Sequence, residues 1–225
     1  MSKPTKQSIQ NWIDQISLYH TKHENFQYIT NSDGTIRWIW PSKNSKPVFL
    51  KFYNASSWRS KLFQAAIKLM FALRMQHFFV KSEYAKFDAF PSQLNLNPNE
   101  DWAIFTGTLG PNRKIVITGQ TSNSQISFAK IAIGKNAPEL INNEAENIKL
   151  LTEIKLDSIV FPAIISQSDE HLQISDISSE FRSNQLTGIH RFALKELDHK
   201  TSTCRGLQFA EFFSELTENV SSVNH

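Results

Sequence analysis

Trp102-Ala-Ile-Phe-Thr-Gly-Thr-Leu-Gly110, Lys114-Ile-Val-Ile-Thr118, Ile126-Ser-Phe-Ala-Lys130 and Asn142-Asn-Glu144-Ala-Glu-Asn-Ile-Lys-Leu-Leu151 are the segments whose reading decides the fold. The first three are short apolar runs punctuated by Gly, Pro and Asn, the pattern of strands joined by hairpins. Gly110-Pro-Asn-Arg113 is the tip between the first two. Small residues such as Gly107 and Gly110 let the main chain there approach a neighbour closely. Lys130 closes an otherwise apolar run, and Ile131-Ala-Ile133 continues it. An ammonium in such a strand costs desolvation energy unless it meets an anion, or unless the strand is an edge and the side chain snorkels to water. Pro138 to Ile154 places Leu140, Ile141, Ile148, Leu151 and Ile154 at helical spacing with Glu144 beside the stripe, so a helix follows the lysine strand. Phe161-Pro-Ala-Ile-Ile-Ser166, the turn Gln167-Ser-Asp-Glu170 and His171-Leu-Gln-Ile-Ser175 read as a last hairpin.

Upstream, Ile9, Trp12, Ile13, Ile16 and Tyr19 give Ser8 to Tyr19 the spacing of a short amphipathic helix. Phe26-Gln-Tyr-Ile29, the turn Asn31-Ser-Asp-Gly34 and Thr35-Ile-Arg-Trp-Ile-Trp40 make a hairpin, and Val48-Phe-Leu-Lys-Phe-Tyr53 reads as a third strand of an antiparallel meander. Ser57 to Val80 has no Gly or Pro and reads as one long, buried helix over the meander, with Ser56 or Ser57 as its cap. Lys68 and Arg74 in its middle argue against a membrane span. The polar stretch Ser92 to Glu100 is the expected domain boundary. Thr187 to Leu197 and Gly206 to Asn219 carry helical patterns.

Forty per cent hydrophobic and 20% charged residues fit an ordinary globular protein. The single cysteine, Cys204, excludes an internal disulfide and suits a reducing compartment. Met1 to Gln10 is polar and lacks the apolar core of a secretory signal, so the expected location is cytoplasmic, with a peripheral membrane position as an extension. Residues 1–90 hold 13 Lys+Arg against 5 Asp+Glu, a balance of +8, and residues 91–225 hold 11 against 16, a balance of −5. The two halves either attract each other or the first meets an acidic protein or a membrane surface. Nucleic acid is not the favoured partner: Arg37, Trp38 and Trp40 could stack bases, but burial on a strand accounts for them more simply. His20 and His23 lack partners at metal-ligand spacing, and there is no Gly-x-Ser-x-Gly.

The order strand, glycine turn, strand, lysine strand, glutamate helix, hairpin resembles the small, nucleotide-holding lobe of the kinase-like phosphotransferases, the aminoglycoside-phosphotransferase-like and protein-kinase-like proteins. The resemblance covers Trp102 to Ser178, about a third of the chain. It rests on Phe128-Ala129-Lys130 at the family's V-A-I-K position and on Glu144 fourteen residues later. The resemblance implies that Lys130 holds the α/β phosphates of ATP, that Glu144 ion-pairs with Lys130, and that the Gly107–Arg113 tip covers the nucleotide. The full G-x-G-x-x-G is absent. Apolar residues follow the family's glutamate at +4 and +7: after Glu144 these are Ile148 and Leu151, after Glu146 they are Leu150 and Glu153, so Glu144 fits better and Glu146 remains the competitor. Asp176-Ile-Ser-Ser179 takes the position of the linker that reads the adenine, with Ile177 as its contact.

No histidine begins His-x-Asp, and there is no Asp-Phe-Gly; His190-Arg-Phe192 matches two letters only. The base and the Mg²⁺ ligands of the family's large lobe therefore have no counterpart, and Mg²⁺ binding would need that lobe as partner. The expected fold is α+β: a basic β-meander with a long helix (1–90), a linker (91–100), a kinase-like small lobe of five antiparallel strands and one helix (101–178), and helices opening an incomplete large lobe (179–225). Two functions are expected as alternatives. One is the N-terminal part of a phosphotransferase, binding ATP weakly or not at all and inactive alone. The other is a non-catalytic scaffold of the pseudokinase type.

Overall fold

The computed structural model describes residues 8–16, 22–43, 47–51, 53, 57–157, 159–177, 192–197 and 199. Two compact units divide the chain, Met1–Ala145 with Ala163–Asp176, and Glu146–Pro162 with Ile177–His225. The first carries the helix α1 (Ile9–Ile13), the strands β1 (His23–Thr30) and β2 (Ile36–Pro41), the helix α2 (Trp58–Ala72), and the strands β3 (Lys81–Lys86), β4 (Trp102–Phe105), β5 (Lys114–Gln120) and β6 (Ile126–Ala132). The first part of α3 (Ala137–Ile154) follows, then β7 (Ile164–Gln167) and β8 (His171–Ser175).

All eight strands join one antiparallel sheet in the order β3-β1-β2-β4-β5-β6-β8-β7. The fold is α+β as expected, but the antiparallel sheet has eight strands rather than the expected five. Its junction is β2 against β4, with Trp38 opposite Phe105 and Ile39 opposite Ile104, so hydrogen bonding runs across the polar stretch 91–100. Alternation on β4 explains why the seam holds. Trp102 and Ile104 enter one core with Phe26, Ile39, Phe87 and the α1 residues Trp12 and Ile13. Ala103 and Phe105, on the other face, join Trp38, Trp40 and Phe49.

Two upstream expectations are corrected. In place of the strand expected over Val48 to Tyr53, Val48–Lys51 is a turn of 3₁₀ helix, closed by the Leu50 N–H on the Pro47 carbonyl at 2.9 Å, and Phe52 lies outside the described residues. Val48, Phe49 and Leu50 are all buried, and three consecutive buried side chains suit a turn inserted into a core better than a pleat with alternating faces. The third strand is instead β3, and it returns to pair with β1, Phe26 opposite Glu83, so the order β3-β1-β2 replaces the expected meander.

The long helix is also shorter than expected. Ser57 caps α2, its hydroxyl accepting from the Ser60 N–H while the Ser60 hydroxyl answers the Ser57 N–H. α2 stops after Ala72 because Arg74 turns left-handed, at φ +58°. The Met75 N–H then reaches the Met70 carbonyl at 2.8 Å and the Arg74 N–H the Phe71 carbonyl at 3.1 Å, a Schellman closure built without glycine. Nor is α2 buried: only Ile67 is fully so, with Phe63 and Phe71 packed against the same core.

The β7–β8 hairpin is tied by a chain of side-chain hydrogen bonds around buried His171. Its Nδ1 lies 2.6 Å from the Ser168 hydroxyl and its Nε2 lies 3.2 Å from the Ser166 hydroxyl. Ser166 donates on to Gln173 Oε1, and Gln173 Nε2 donates to Ser127 at 2.9 Å. Ser168 already accepts the Glu170 and His171 N–H groups, so its own proton goes to Nδ1 and the ring proton sits on Nε2. Burial lowers the His171 pKa below its ordinary 6.5. The neutral ring therefore contributes stability that is fully present above 6.5 and is lost as pH falls through the depressed folded value. Urea denaturation at neutral and mildly acidic pH is expected to show stability falling with acidification, with a smaller slope in His171→Gln. An unchanged slope in the variant would exclude His171 as the titrating group.

In the second unit residues 192–197 are helical, Ala193 and Leu197 are buried, and the Asp157 N–H donates to the Glu196 carboxylate at 2.6 Å. Thr187 to Arg191 and the expected helix Gly206 to Asn219 lie outside the described residues, as do Cys204 and His20.

Candidate functional site

The site forms where β5, β6 and α3 meet. Val116 sits opposite Lys130, and Lys114 opposite Ala132. Side chains alternate along strands, so Lys114, Val116 and Lys130 share one face while Ile115, Ile117 and Ala129 fill the core behind them. α3 buries Ala137, Ile141 and Ala145, a row spaced by four that turns Glu144 toward the lysine face. Lys130 Nζ and Glu144 Oε1 form an ion pair, and Lys114 Nζ lies 3.6 Å from the other carboxylate oxygen. Glu146 is exposed and belongs to the second unit. Leu140, expected on the apolar stripe, is exposed as well.

Above this face the chain between β4 and β5 borders an open pocket of about 520 Å³. Its wall includes Phe105, Val116, Gly107, Gly110, Lys114 and Lys130. Gly107 is left-handed at φ +73°, and a Cβ there would lie 2.1 Å from the Lys114 carbonyl oxygen. Only glycine allows the two sides of the hairpin to approach so closely. Gly110, at φ +142°, faces open space, so its role is conformational. The tip is bound to the turn between β6 and α3: the Ile133 and Gly134 N–H groups donate to the Arg113 carbonyl at 3.0 and 2.9 Å, and the Asn136 N–H to that of Pro111 at 2.9 Å. Gly134 makes this possible, since its Cβ would fall 2.2 Å from the Pro111 oxygen. Ile177 belongs to the second unit, and the pocket wall is made by residues of the first alone.

Arg113 adds a third cation to the wall. Its Nε donates to the Thr106 carbonyl at 3.0 Å and its guanidinium covers the Trp12 ring at 4.5 Å. Burial lowers its pKa, yet a guanidinium stays charged at neutral pH. None of the wall residues is acidic, and the Glu144 carboxylate is shared between Lys114 and Lys130. The combination of cations, an apolar patch and close-lying main chain suits an anionic ligand with a flat apolar part.

No family model matches the chain, and no curated protein or solved structure matches it.

Lys114, Gly134 and the Arg113–Trp12 contact carry no separate sequence signal of function. Lys114 becomes legible once the tip is placed at Gly110–Arg113, because antiparallel pairing then puts it diagonally beside Lys130. Trp38 and Trp40 are buried, which removes them as base-stacking candidates. Among the described residues no group of three or more His, Cys, Asp or Glu is placed to hold a metal ion, and no helix is long and apolar enough to cross a membrane.

Proposed function

We propose that the first unit holds a nucleotide in the manner of the small lobe of a kinase-like phosphotransferase. The observation that carries this reading is Lys130 in the wall of a glycine-bearing hairpin pocket, ion-paired with Glu144. A strand lysine aimed by a helix glutamate is how such lobes grip the α/β phosphates. Lys130 takes the phosphates, Glu144 fixes its direction, Lys114 and Arg113 add positive potential, and the Gly107–Arg113 tip lies over the ligand. Mg²⁺ belongs to residues of the large lobe, and with neither His-x-Asp nor Asp-Phe-Gly in the sequence the reading assigns binding without phosphoryl transfer to these 225 residues. The basic surface of α2 favours a companion reading, a non-catalytic scaffold whose N-terminal half meets an anionic partner at the cytoplasmic side.

Isothermal titration of the full chain with ATP in the absence of Mg²⁺ tests the pocket. Binding is expected, and Lys130→Ala is expected to cost about 2 kcal/mol, roughly thirtyfold in Kd, the worth of a charge-assisted contact. Glu144→Gln should weaken binding by a smaller factor, because the lysine keeps its charge and loses only its aim. Failure of the wild type to bind, or equal affinity in Lys130→Ala, would sink the proposal. Rapid ATP turnover abolished by Lys130→Ala would replace it with a complete enzyme.

A further inference from the structure

α2 is apolar on two sides. One stripe, Phe63, Ile67 and Phe71, packs on the sheet core. The other faces solvent: Trp58, Leu62, Leu69 and Leu73 are each more than half exposed, and so is Phe78 in the 3₁₀ turn beyond the helix. Trp58, Leu62, Ala65, Leu69 and Ala72 follow one another at spacings of four and three, which aligns them as one ridge along the helix. Lys61 and Lys68 border the ridge on one flank and Arg59 on the other, with its guanidinium 5.5 Å over the Trp58 ring. From Ser57 to Ser82 the chain carries Arg59, Lys61, Lys68, Arg74 and Lys81 and no Asp or Glu.

We propose that this ridge docks on an anionic lipid bilayer. Charge decides against a second copy of the chain. Ridge against ridge would bring the flanking cations of both copies together with no carboxylate to pair them. Shape decides against an acidic helical peptide, which seats in a groove, whereas the ridge is the outer side of a single helix. Fifteen residues rise about 22 Å, too short to span hydrocarbon, so α2 lies along the surface with its leucines inserted. Lys61 and Lys68 extend from the flank to headgroup phosphates over their own apolar stems, and Trp58 takes the interfacial depth that indole favours. The proposal stands apart from the nucleotide pocket and needs none of its residues.

Sedimentation of the full chain with vesicles of phosphatidylcholine, with and without phosphatidylserine, tests it. Pelleting is expected with phosphatidylserine and should fall as salt is raised. Two positive charges near an anionic surface contribute enough for Lys61→Glu/Lys68→Glu to weaken partitioning by about tenfold or more. Leu62→Gln/Leu69→Gln should weaken it similarly while leaving the lipid-free thermal melt unchanged, because both leucines are exposed. The other four tryptophans are buried, so a blue shift of emission on binding, absent from Trp58→Phe, reports the ridge itself. No pelleting on phosphatidylserine vesicles, or pelleting indifferent to both double variants, overturns the proposal. A solution dimer that Leu62→Gln/Leu69→Gln dissociates would give the ridge to a second copy. Binding of an acidic amphipathic peptide without vesicle binding would give it to a protein.

Discussion

Trp102→Ala is expected to lower the unfolding free energy by about 3–5 kcal/mol. The indole is fully buried and stands among Phe26, Phe87 and Phe90, with ring centroids 5.8, 5.1 and 5.0 Å away. Its Nε1–H donates to the Pro98 carbonyl at 3.2 Å, so truncation strips apolar contact and removes this hydrogen bond, while the carbonyl keeps Lys43 Nζ at 3.1 Å. These partners lie on β1 and after β3, while Trp102 opens β4, the first strand beyond the polar stretch 91–100. Guanidinium denaturation followed by far-UV circular dichroism should show one cooperative transition moved to lower denaturant. Two separate transitions, or a loss below about 1 kcal/mol, would mean that the halves of the sheet fold independently. Trp58→Ala, on the exposed ridge, is the control and should stay within about 0.5 kcal/mol.

Gly107→Ala is the second large effect. The new methyl would meet the Lys114 carbonyl oxygen at 2.1 Å, a backbone atom that cannot rotate aside, at a φ of +73°. Strain of the left-handed conformation and the clash together are expected to cost about 2–4 kcal/mol. Gly34→Ala separates the two contributions. Gly34 has φ +84° but open space around it, so its variant should lose only about 1 kcal/mol. Because the clash falls on the first residue of β5, the Gly107 variant should also displace Lys114 from Glu144 and weaken ATP binding at temperatures where it remains folded. Equal stability of the two glycine variants would show that the hairpin opens without cost. Retained affinity in a destabilised Gly107→Ala would separate the tip from the ligand.

Where the sequence was legible, a local pattern matched a local cause. His171–Ser175 and the β5 and β6 runs alternate between turn formers, and α3 has helical spacing, so their boundaries follow within a few residues. Helix register set Glu144 beside the stripe, but only the family resemblance joined it to Lys130, which lies within β6 rather than at its end. β3 was not, because Lys81-Ser-Glu-Tyr-Ala-Lys86 buries only Ala85 and an edge strand protected by charge imitates a loop. The stop of α2 was hidden by the use of Arg74 rather than glycine in the left-handed position. The pairing of β2 with β4 joins residues more than sixty positions apart, and no periodicity records such a choice of neighbour. The boundary expected at Ser92 to Glu100 marks where the polar connector lies, but connectors of this kind can bridge strands of the same sheet.

That pairing has a practical corollary for anyone dividing the protein. Severing the chain within residues 91–100, the place its composition invites, would strip β2 and β4 of their shared ladder. Each fragment would then present a raw strand margin lined with Trp38 and Ile39 or with Ile104 and Phe105. Charged β3 guards the margin the intact molecule has on that side; the new ones would have no such guard and would seek strands in other chains.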